Sequence, residues 1–375
     1  MRPHNSTDVV DCSRPATCVF WFVAGAAFTL MAMNAQGGGT WASLLRVGSD
    51  NPALGRLQSE LGPIVTPDRT GHDGQLYYLI ARDPFAEATT PGDLAGFDNN
   101  GPRYRYRRIL FPLLAGGFGQ FGGKVTLAGM ISLVVFGMGL ATVAVADVAS
   151  QLRLRGGAAL LAAFNVGALI SAMILTADAL ALGLAMSGVA LSIRRKFGLA
   201  IAAFGLAALT KEVYVLVPLS VAAWQLSERR PRVAAAVAII PLLPLLAWSI
   251  WVWVFIPETV EETRHFGPPL SGILTSAVHW KQRLGRNYVQ LFLAGYALLS
   301  LLVAIAMLAV GHSRPMRWVA APWVLTALCS TAAVWKVPGN AARGFSILWP
   351  VGMLLLVERL RSRPPSRSDT AERET

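Results

Sequence analysis

Charged residues are scarce in this sequence: Asp, Glu, Lys and Arg together make up 14% of its 375 residues. A soluble domain usually carries about 25%, so this scarcity excludes an ordinary soluble globular enzyme. A hydrophobic fraction of 54% and a mean hydropathy of +0.49 exclude a disordered chain as well. Apolar segments recur along nearly the whole chain, and this layout is typical of a polytopic α-helical membrane protein.

Residues that bind metals or form disulfides are also few. The chain has three cysteines, an odd number, and their spacing is not that of metal ligands: Cys12, Cys18 and Cys329. His265 and His279 are too far apart and too poorly accompanied to form a zinc pair. The sequence contains no glycine loop of the kind that cradles phosphate and no Ser/His/Asp set. We therefore predict no disulfide framework, no zinc site and no phosphate-binding glycine loop.

Acidic residues are fewer than basic ones, 21 against 33, and the formal net charge is +12. The location of the positive charge decides its meaning, because much of it lies in short connections and in the C-terminal tail. These clusters are Arg153 and Arg155; Arg194, Arg195 and Lys196; Arg229, Arg230 and Arg232; Arg314 and Arg317; Arg359, Arg361, Arg363 and Arg367. This distribution is the positive-inside pattern of membrane proteins. It predicts an orientation in the bilayer and no nucleic-acid partner.

The apolar runs predict an all-α polytopic membrane protein with about ten transmembrane helices. The runs cover 18–35, 124–148, 158–175, 179–193, 197–209, 213–226, 233–256, 289–310, 318–334 and 345–357. Basic clusters fall on every second connection, so both termini are expected in the cytoplasm. The fifth and sixth runs are shorter than the roughly 20 residues needed to cross a bilayer. Residues 197–226 therefore form either two spans or a re-entrant hairpin.

We expect one multi-span membrane domain over 18–358, between a cytoplasmic N-terminal segment (1–17) and a disordered, basic cytoplasmic tail (359–375). Two long extracytoplasmic loops interrupt the domain: 37–123, with interfacial helices, and 257–287. The short basic segment before the first run also allows a cleaved signal peptide. Because no clean small-residue cleavage site follows the run, a retained first helix is favoured.

The most informative stretch is 71–85, within the first long loop. Asp73-Gly74 is expected to form a turn, since glycine tolerates positive φ, and Asp73 is placed to cap the helix that follows. Leu76, Leu79 and Ile80 share one helical face, and Pro84 is expected to end the helix. The stretch thus predicts a short amphipathic helix at the membrane surface with a carboxylate at its start. A plain helix cap is the alternative interpretation of Asp73.

The pattern Asp73-x-x-x-Tyr77-x-x-Ile80-Ala81-Arg82-Asp83 resembles the first extracytoplasmic loop of GT-C superfamily glycosyltransferases. The likeness is closest to protein O-mannosyltransferases and to aminoarabinose transferases that act on lipid A. In those families the next position is often acidic too, and here it is Gly74. The chain is also similar to bacterial membrane proteins of cell-surface glycopolymer formation, in which Asp-Gly-Gln, two aromatics and then an Arg/Tyr run recur.

The resemblance implies transfer of a sugar from a polyprenyl-phosphate carrier to a cell-envelope glycan or lipid, at the outer face of the bacterial cytoplasmic membrane. It implies that Asp73 is the catalytic residue, and that Gln75 and Tyr77 contact substrate. A carboxylate there could act as a base with a raised pKa, or hold a divalent cation against the leaving phosphate. Both roles stay open on the sequence alone.

Three arginines that follow in the same loop are further candidate site residues. Arg103, Arg105 and Arg107 alternate with Tyr104 and Tyr106. Guanidinium groups suit phosphate oxygens, so this run is either a clamp on the donor phosphate or a set of interfacial anchors.

Lys211 and Glu212 lie between the two short runs, where ionisable groups are costly and indicate a site. Because neighbours on a helix diverge by about 100°, each needs another partner: donor phosphate for Lys211, and Arg343 or a sugar hydroxyl for Glu212. A solvated turn is the alternative. Arg343 resembles a late arginine of glycopolymer-type relatives and is a further phosphate ligand. Asp178 either faces the same cavity or caps its helix.

These residues favour a membrane glycosyltransferase, and they predict that Asp73, the run 103–108, Lys211 and Arg343 converge beside an apolar groove. A secondary transporter or translocase of lipid-linked sugars is the alternative, since its ionisable groups would sit on broken helices near mid-membrane. A non-catalytic assembly subunit is a third possibility, without a specific signal.

Overall fold

The computed structural model describes residues 15–36, 40–66, 69–87, 101–154, 160, 164–257, 265–283 and 288–361. These residues fold almost entirely into helices and contain no strand; two isolated bridges join Val47 to Gly71 and Phe266 to Ser330. The N-terminal segment 1–14 and all but three residues of the predicted tail lie outside the described residues.

The helices follow one another along the chain and are numbered here in order. They are α1 (Pro15–Gln36), α2 (Leu54–Leu61), α3 (Asp73–Arg82), α4 (Pro102–Tyr106), α5 (Leu110–Ala115), α6 (Gly123–Gln151), α7 (Val166–Met173), α8 (Asp178–Ile193), α9 (Phe197–Thr210), α10 (Leu216–Ser227), α11 (Pro231–Ile239), α12 (Leu242–Phe255), α13 (Ser271–Arg283), α14 (Tyr288–Val310), α15 (Arg314–Cys329), α16 (Ala332–Trp335), α17 (Pro338–Gly344) and α18 (Leu348–Arg361). Two 3₁₀ turns, Trp41–Leu45 and Glu212–Val215, join them.

Four helical segments are long and apolar enough to cross a membrane: Pro15–Gln36, Gly123–Gln151, Pro231–Phe255 and Tyr288–Val310. A fifth is reached if Pro338–Gly344 and Leu348–Arg361, bent by 63°, form one broken span. The multi-pass helical class is therefore as predicted, but the count of about ten spans is not confirmed. Three predicted spans correspond to shorter apolar helices, Asp178–Ile193, Phe197–Thr210 and Glu212–Ser227.

The centre of the bundle is formed by α6, which packs between α1 and α8. At the α6–α8 crossing, Gly137 and Gly183 face each other so closely that a Cβ on Gly183 would lie 2.4 Å from the Gly137 carbonyl oxygen. Small residues allow this approach, as in many membrane helix pairs. The contact fixes the start of α8, and with it Asp178, against the rest of the bundle.

The first loop is packed into the protein. α3 contacts α5, α6 and the 3₁₀ turn before it, and its residues from Gly74 to Ala81 are all buried. The predicted helix is present and ends at Arg82, before Pro84, as expected, but it is covered by the protein itself. Its predicted position at the membrane surface stays a prediction. A helix covered on all sides holds its first residue, Asp73, in a fixed position.

Gly74 is needed for space rather than for a turn. It lies inside α3, and a Cβ there would meet the Ile174 carbonyl oxygen at 2.4 Å and the Leu45 carbonyl oxygen at 3.1 Å. The predicted Asp73-Gly74 turn is therefore wrong, and the positive φ occurs at Gly71 instead. The contact draws the start of α3 against the segment that leads into α8. It also explains why no second acidic side chain follows Asp73.

Candidate functional site

Asp73 is bound by two arginines from distant parts of the chain. Its Oδ1 accepts a hydrogen bond from Arg105 Nη1 at 2.7 Å, and its Oδ2 accepts one from Arg343 Nη2 at 3.0 Å. The three side chains are 19%, 6% and 12% exposed, respectively. The structure thus brings together three of the predicted site residues, from α3, α4 and α17.

This arrangement changes the expected role of Asp73. The N-cap of α3 is His72, and Asp73 is the first helical residue, so its carboxylate is directed at the arginines rather than used as a cap. Burial raises the pKa of the Asp73 carboxyl, but the charges of Arg105 and Arg343 outweigh burial and hold the pKa well below its usual range. The predicted upward tuning is therefore wrong: in this state Asp73 is ionised throughout the physiological pH range.

Asp178 and Lys211 form a second ion pair beside the first. Asp178 begins α8, and its Oδ1 accepts a hydrogen bond from Lys211 Nζ, which lies at the break after α9. The other oxygen accepts a hydrogen bond from Thr176 at 2.8 Å and lies 4.0 Å from Arg343 Nη1. Of the two interpretations of Asp178, the structure supports the buried site rather than the cap. Arg343 lies between the two carboxylates.

Arg108 and Glu212 form the third pair. Arg108 Nε and Nη2 donate to the two Glu212 carboxylate oxygens at 2.9 and 2.8 Å, which is a bidentate geometry. The Arg108 guanidinium also lies over the Tyr104 ring, 4.2 Å from its centroid. The suggested pairing of Glu212 with Arg343 is therefore wrong. Arg108 belongs to the predicted run but was not singled out as a site residue.

Tyr77 connects the pairs. Its ring is buried and packs edge-to-face on Phe111 at 5.6 Å, while its phenol interacts with Arg108 and lies within electrostatic range of Asp73 and Asp178. We call the seven charged residues around Tyr77 the ionic network. They are Asp73, Arg105, Arg108, Asp178, Lys211, Glu212 and Arg343. Four cations face three carboxylates, so the network carries one net positive charge.

Two predicted ligands lie elsewhere. Arg103 donates to the carbonyl oxygens of Ile256 at 2.7 Å and Trp253 at 3.1 Å, so it satisfies the C-terminal end of α12 and is not part of the network. Gln75 is fully buried, and its Oε1 accepts hydrogen bonds from Gly48 N and Asn51 Nδ2. Neither residue lies in the ionic network, and the phosphate ligand at Arg103 and the substrate contact at Gln75 stay predictions. Arg103 caps a helix end and Gln75 braces the first loop.

An open, largely apolar groove of about 440 Å³ begins at the network. It is lined by Arg107, Glu212, Leu245, Ser249, Ile250 and Trp253. We call it the Glu212 groove. The α12 members lie on one face of that helix, and its other face is held by a Trp248–Trp251 stack and by a 2.7 Å hydrogen bond from Trp248 Nε1 to the Tyr106 carbonyl oxygen. This bond places the groove wall beside the arginine run.

A divalent cation does not fit the residues around Asp73. Within the part of the chain that the structure describes, no group of three or more His, Cys, Asp or Glu side chains is placed to hold a metal. Both Asp73 oxygens face guanidinium groups, and that positive field disfavours a second cation. We therefore derive no catalytic step through a metal ion.

Two members of the network, Arg108 and Asp178, were not predicted as ligands. Both are charged residues next to the ends of apolar segments. Placing a charge in apolar surroundings costs free energy, and this cost is the signal that could have marked them as site residues. Compared with known proteins, the chain matches no protein family, no curated protein and no solved structure. The fold and the site together define a helical multi-pass protein with a buried, cation-rich ionic network.

Proposed function

We propose that this chain is a membrane glycosyltransferase of the GT-C type, moving a sugar from a polyprenyl-phosphate donor to a cell-envelope glycan or lipid. The carrying observation is that Asp73, Arg105, Lys211 and Arg343, from four separate elements, lie in one ionic network whose member Glu212 lines an apolar groove. The proposal includes the finer topology of about ten spans, both termini in the cytoplasm, and the network at the outer face of the bacterial inner membrane.

The charge balance supports binding of a phosphate. A buried group of ion pairs adds little stability over apolar packing, and ionisable residues in apolar surroundings are typical of functional sites. Arg343 Nη1 has no hydrogen-bond partner among the described residues and lies 4.0 Å from Asp178. An incoming phosphate could use this donor together with Arg105. Such bonds are short and strong because both partners are charged.

The Glu212 groove supports a lipid carrier. Ile250 and Trp253 line it and are more than half exposed, whereas Arg107 and Glu212 form its polar end. A polyprenyl chain would bury apolar surface along α12 while its phosphate reached the arginines. Arg107 is the predicted run member that faces this groove directly. It takes the phosphate-binding role predicted for this run.

The chemistry follows from these placements. As the bond between the anomeric carbon and the phosphate oxygen breaks, its electron pair leaves with the phosphate, and Arg105 and Arg343 stabilise that charge. The acceptor oxygen forms the new bond to carbon and releases its proton to Asp73. In the free protein Asp73 is a weak base. When a phosphate competes for its two arginines, the lowering of its pKa is relieved, and burial then raises it. Donor binding would thus prepare the base.

The test uses the full chain in proteoliposomes with a panel of radiolabelled polyprenyl-phosphate sugars and a membrane extract as acceptor. We expect covalent transfer without an ion gradient, lost in Asp73→Asn. Binding of a sugar-free, long-chain polyprenyl phosphate is measured in parallel and needs no knowledge of the sugar. Vectorial flux of lipid-linked sugar without a covalent product would favour the translocase. Failure to bind polyprenyl phosphate would exclude both.

A further inference from the structure

A second cavity lies at the opposite end of α10 from the ionic network. It has a volume of about 560 Å³ and is lined by Ser227, Leu308, Arg314, Arg317, Trp318 and Ala321. We call it the Arg317 cavity. The 3₁₀ turn at Glu212 leads into α10, which ends at Ser227. At 1.5 Å per residue the two sites are about 20 Å apart, so this cavity is separate from the proposed catalytic site.

The wall formed by α15 changes polarity in the order expected of one membrane leaflet. Arg314 and Arg317 lie in the first turns of the helix, Trp318 follows, and Ala321 and Leu325 continue along the same exposed face. Trp318 is 40% exposed and Leu325 61%. Arginine at headgroup level, tryptophan at the interface and apolar residues beyond match the layers of phosphate, glycerol and acyl chain.

The two arginines are able to bind an external anion. Arg314 forms one exposed ion pair, with its Nη1 3.5 Å from Glu228 Oε1, and exposed pairs of this kind are weak. Within the described part of the chain, Arg317 forms no ion pair, and its side chain is exposed. The cavity is also large enough for a headgroup, because small-molecule sites typically occupy about 300–1,000 Å³.

We propose that the Arg317 cavity binds an anionic phospholipid of the bilayer. Its phosphate would lie between Arg314 and Arg317, its glycerol region against Trp318, and its acyl chains along Leu308 and Leu325. Basic pockets between membrane helices recognise acidic headgroups in this way. By the charge bias of the sequence, this is the cytoplasmic leaflet. The inference does not depend on the proposed transferase activity.

The experiment is native mass spectrometry of the full chain in a neutral detergent, titrated with phosphatidylglycerol or with phosphatidylcholine. We expect phosphatidylglycerol to bind at least ten-fold more tightly. The double variant Arg314→Gln/Arg317→Gln should lose about thirty-fold in phosphatidylglycerol affinity. Each arginine near the membrane surface raises the affinity by about five-fold, and the two factors multiply. Arg314→Lys/Arg317→Lys should keep most of it. Arg232→Gln, an exposed arginine outside the cavity lining, should bind as the unmodified chain does.

Three results would overturn the proposal: equal affinity for the two lipids, an unchanged affinity in the double variant, or the same loss in Arg232→Gln. Competition by inorganic phosphate at low millimolar concentration would also overturn it, because it would indicate a site for a free anion. If the double variant cannot be purified, Arg317→Gln alone serves the same purpose, since it breaks no ion pair among the described residues. A loss of about five-fold is then expected.

Discussion

Asp73 and Arg343 are 270 residues apart in the chain and are joined by a 3.0 Å hydrogen bond. The first loop and the helix before the last one therefore share a single ion pair. Arg343 also reaches towards Asp178, so one guanidinium joins two carboxylates that begin two different helices. Any change to this pair should affect both the folding of the loop and the chemistry of the site.

Asp73→Asn should abolish transfer while the protein is still expressed. The amide cannot accept the acceptor proton, and general-base catalysis contributes about 10²–10⁴-fold. Removal of the charge also leaves Arg105 and Arg343 without their shared carboxylate, so the free energy of unfolding should fall, by up to about 3–5 kcal/mol. Transfer is measured with labelled lipid-linked sugar and stability by thermal unfolding.

The matched control for that variant is Asp50→Asn. Asp50 pairs with Arg69 at 3.1 Å on the surface, and such a pair contributes at most about 1 kcal/mol. Full activity in Asp73→Asn would remove this residue from the mechanism. An equally large loss in Asp50→Asn would show that the loop as a whole, rather than its buried carboxylate, is sensitive.

Arg343→Lys should weaken binding of polyprenyl phosphate by about ten-fold and Arg343→Gln by more. A lysine has one compact charge, whereas Arg343 contacts Asp73 with one nitrogen and lies near Asp178 with the other. A hydrogen bond to a charged group contributes about 1.5–3 kcal/mol, which corresponds to about 10- to 100-fold in affinity. Arg69→Gln, at an exposed pair, is the control. Identical affinities in all variants would show that Arg343 does not contribute to phosphate binding.

Gly74→Ala and Gly55→Ala should have opposite effects on thermal stability. A Cβ on Gly74 would lie 2.4 Å from a backbone oxygen of Ile174, and such overpacking costs about 1–3 kcal/mol. Gly55 lies in α2, and a Cβ added there would have no neighbouring atom within 4 Å, so alanine should stabilise the helix by about 0.5–1 kcal/mol. Destabilisation of similar size by both would contradict the packing argument.

The stability difference between the unmodified chain and Asp73→Asn should be constant from about pH 5 to 8 and shrink below about pH 4. The pKa of Asp73 is lowered in the folded protein. Its stabilising contribution is therefore complete above the unfolded value of about 3.9 and is lost as the pH falls towards the folded value. Thermal unfolding across this range measures the difference. A difference that instead grew as the pH fell from about 6 would indicate a raised pKa.

The helical class and some element ends could be predicted because they depend on local patterns. Pro84 restricts the residue before it, so α3 ends at Arg82 as expected. The count of about ten spans is not confirmed. Apolar runs do not fix the number of spans, because Asp178–Ile193 and Phe197–Thr210 fold as helices shorter than the length expected of a full span.

The members of the site could be chosen from the sequence more reliably than their partners. Buried charge in an apolar chain is costly enough to mark Asp73, Arg105, Lys211 and Arg343. The cost of burying a charge does not identify its partner. Lys211 pairs with Asp178, 33 residues away, and Glu212 pairs with Arg108, 104 residues away. By residue type, Arg103 and Gln75 are equally suited to bind a substrate. In the structure Arg103 donates to a backbone carbonyl group, and Gln75 accepts a hydrogen bond within the first loop.

The sequence by itself determined that the chain is helical and apolar, where its charges are concentrated and which carboxylate begins α3, because these features depend on neighbours within a few residues. The tertiary structure alone decided which cation faces which carboxylate, that α3 is buried on all sides, and that the pKa of Asp73 is lowered rather than raised in the free protein. The physical reason is that Coulomb energy and desolvation depend on distances of a few ångströms in space. Helix packing sets those distances between residues far apart in the chain.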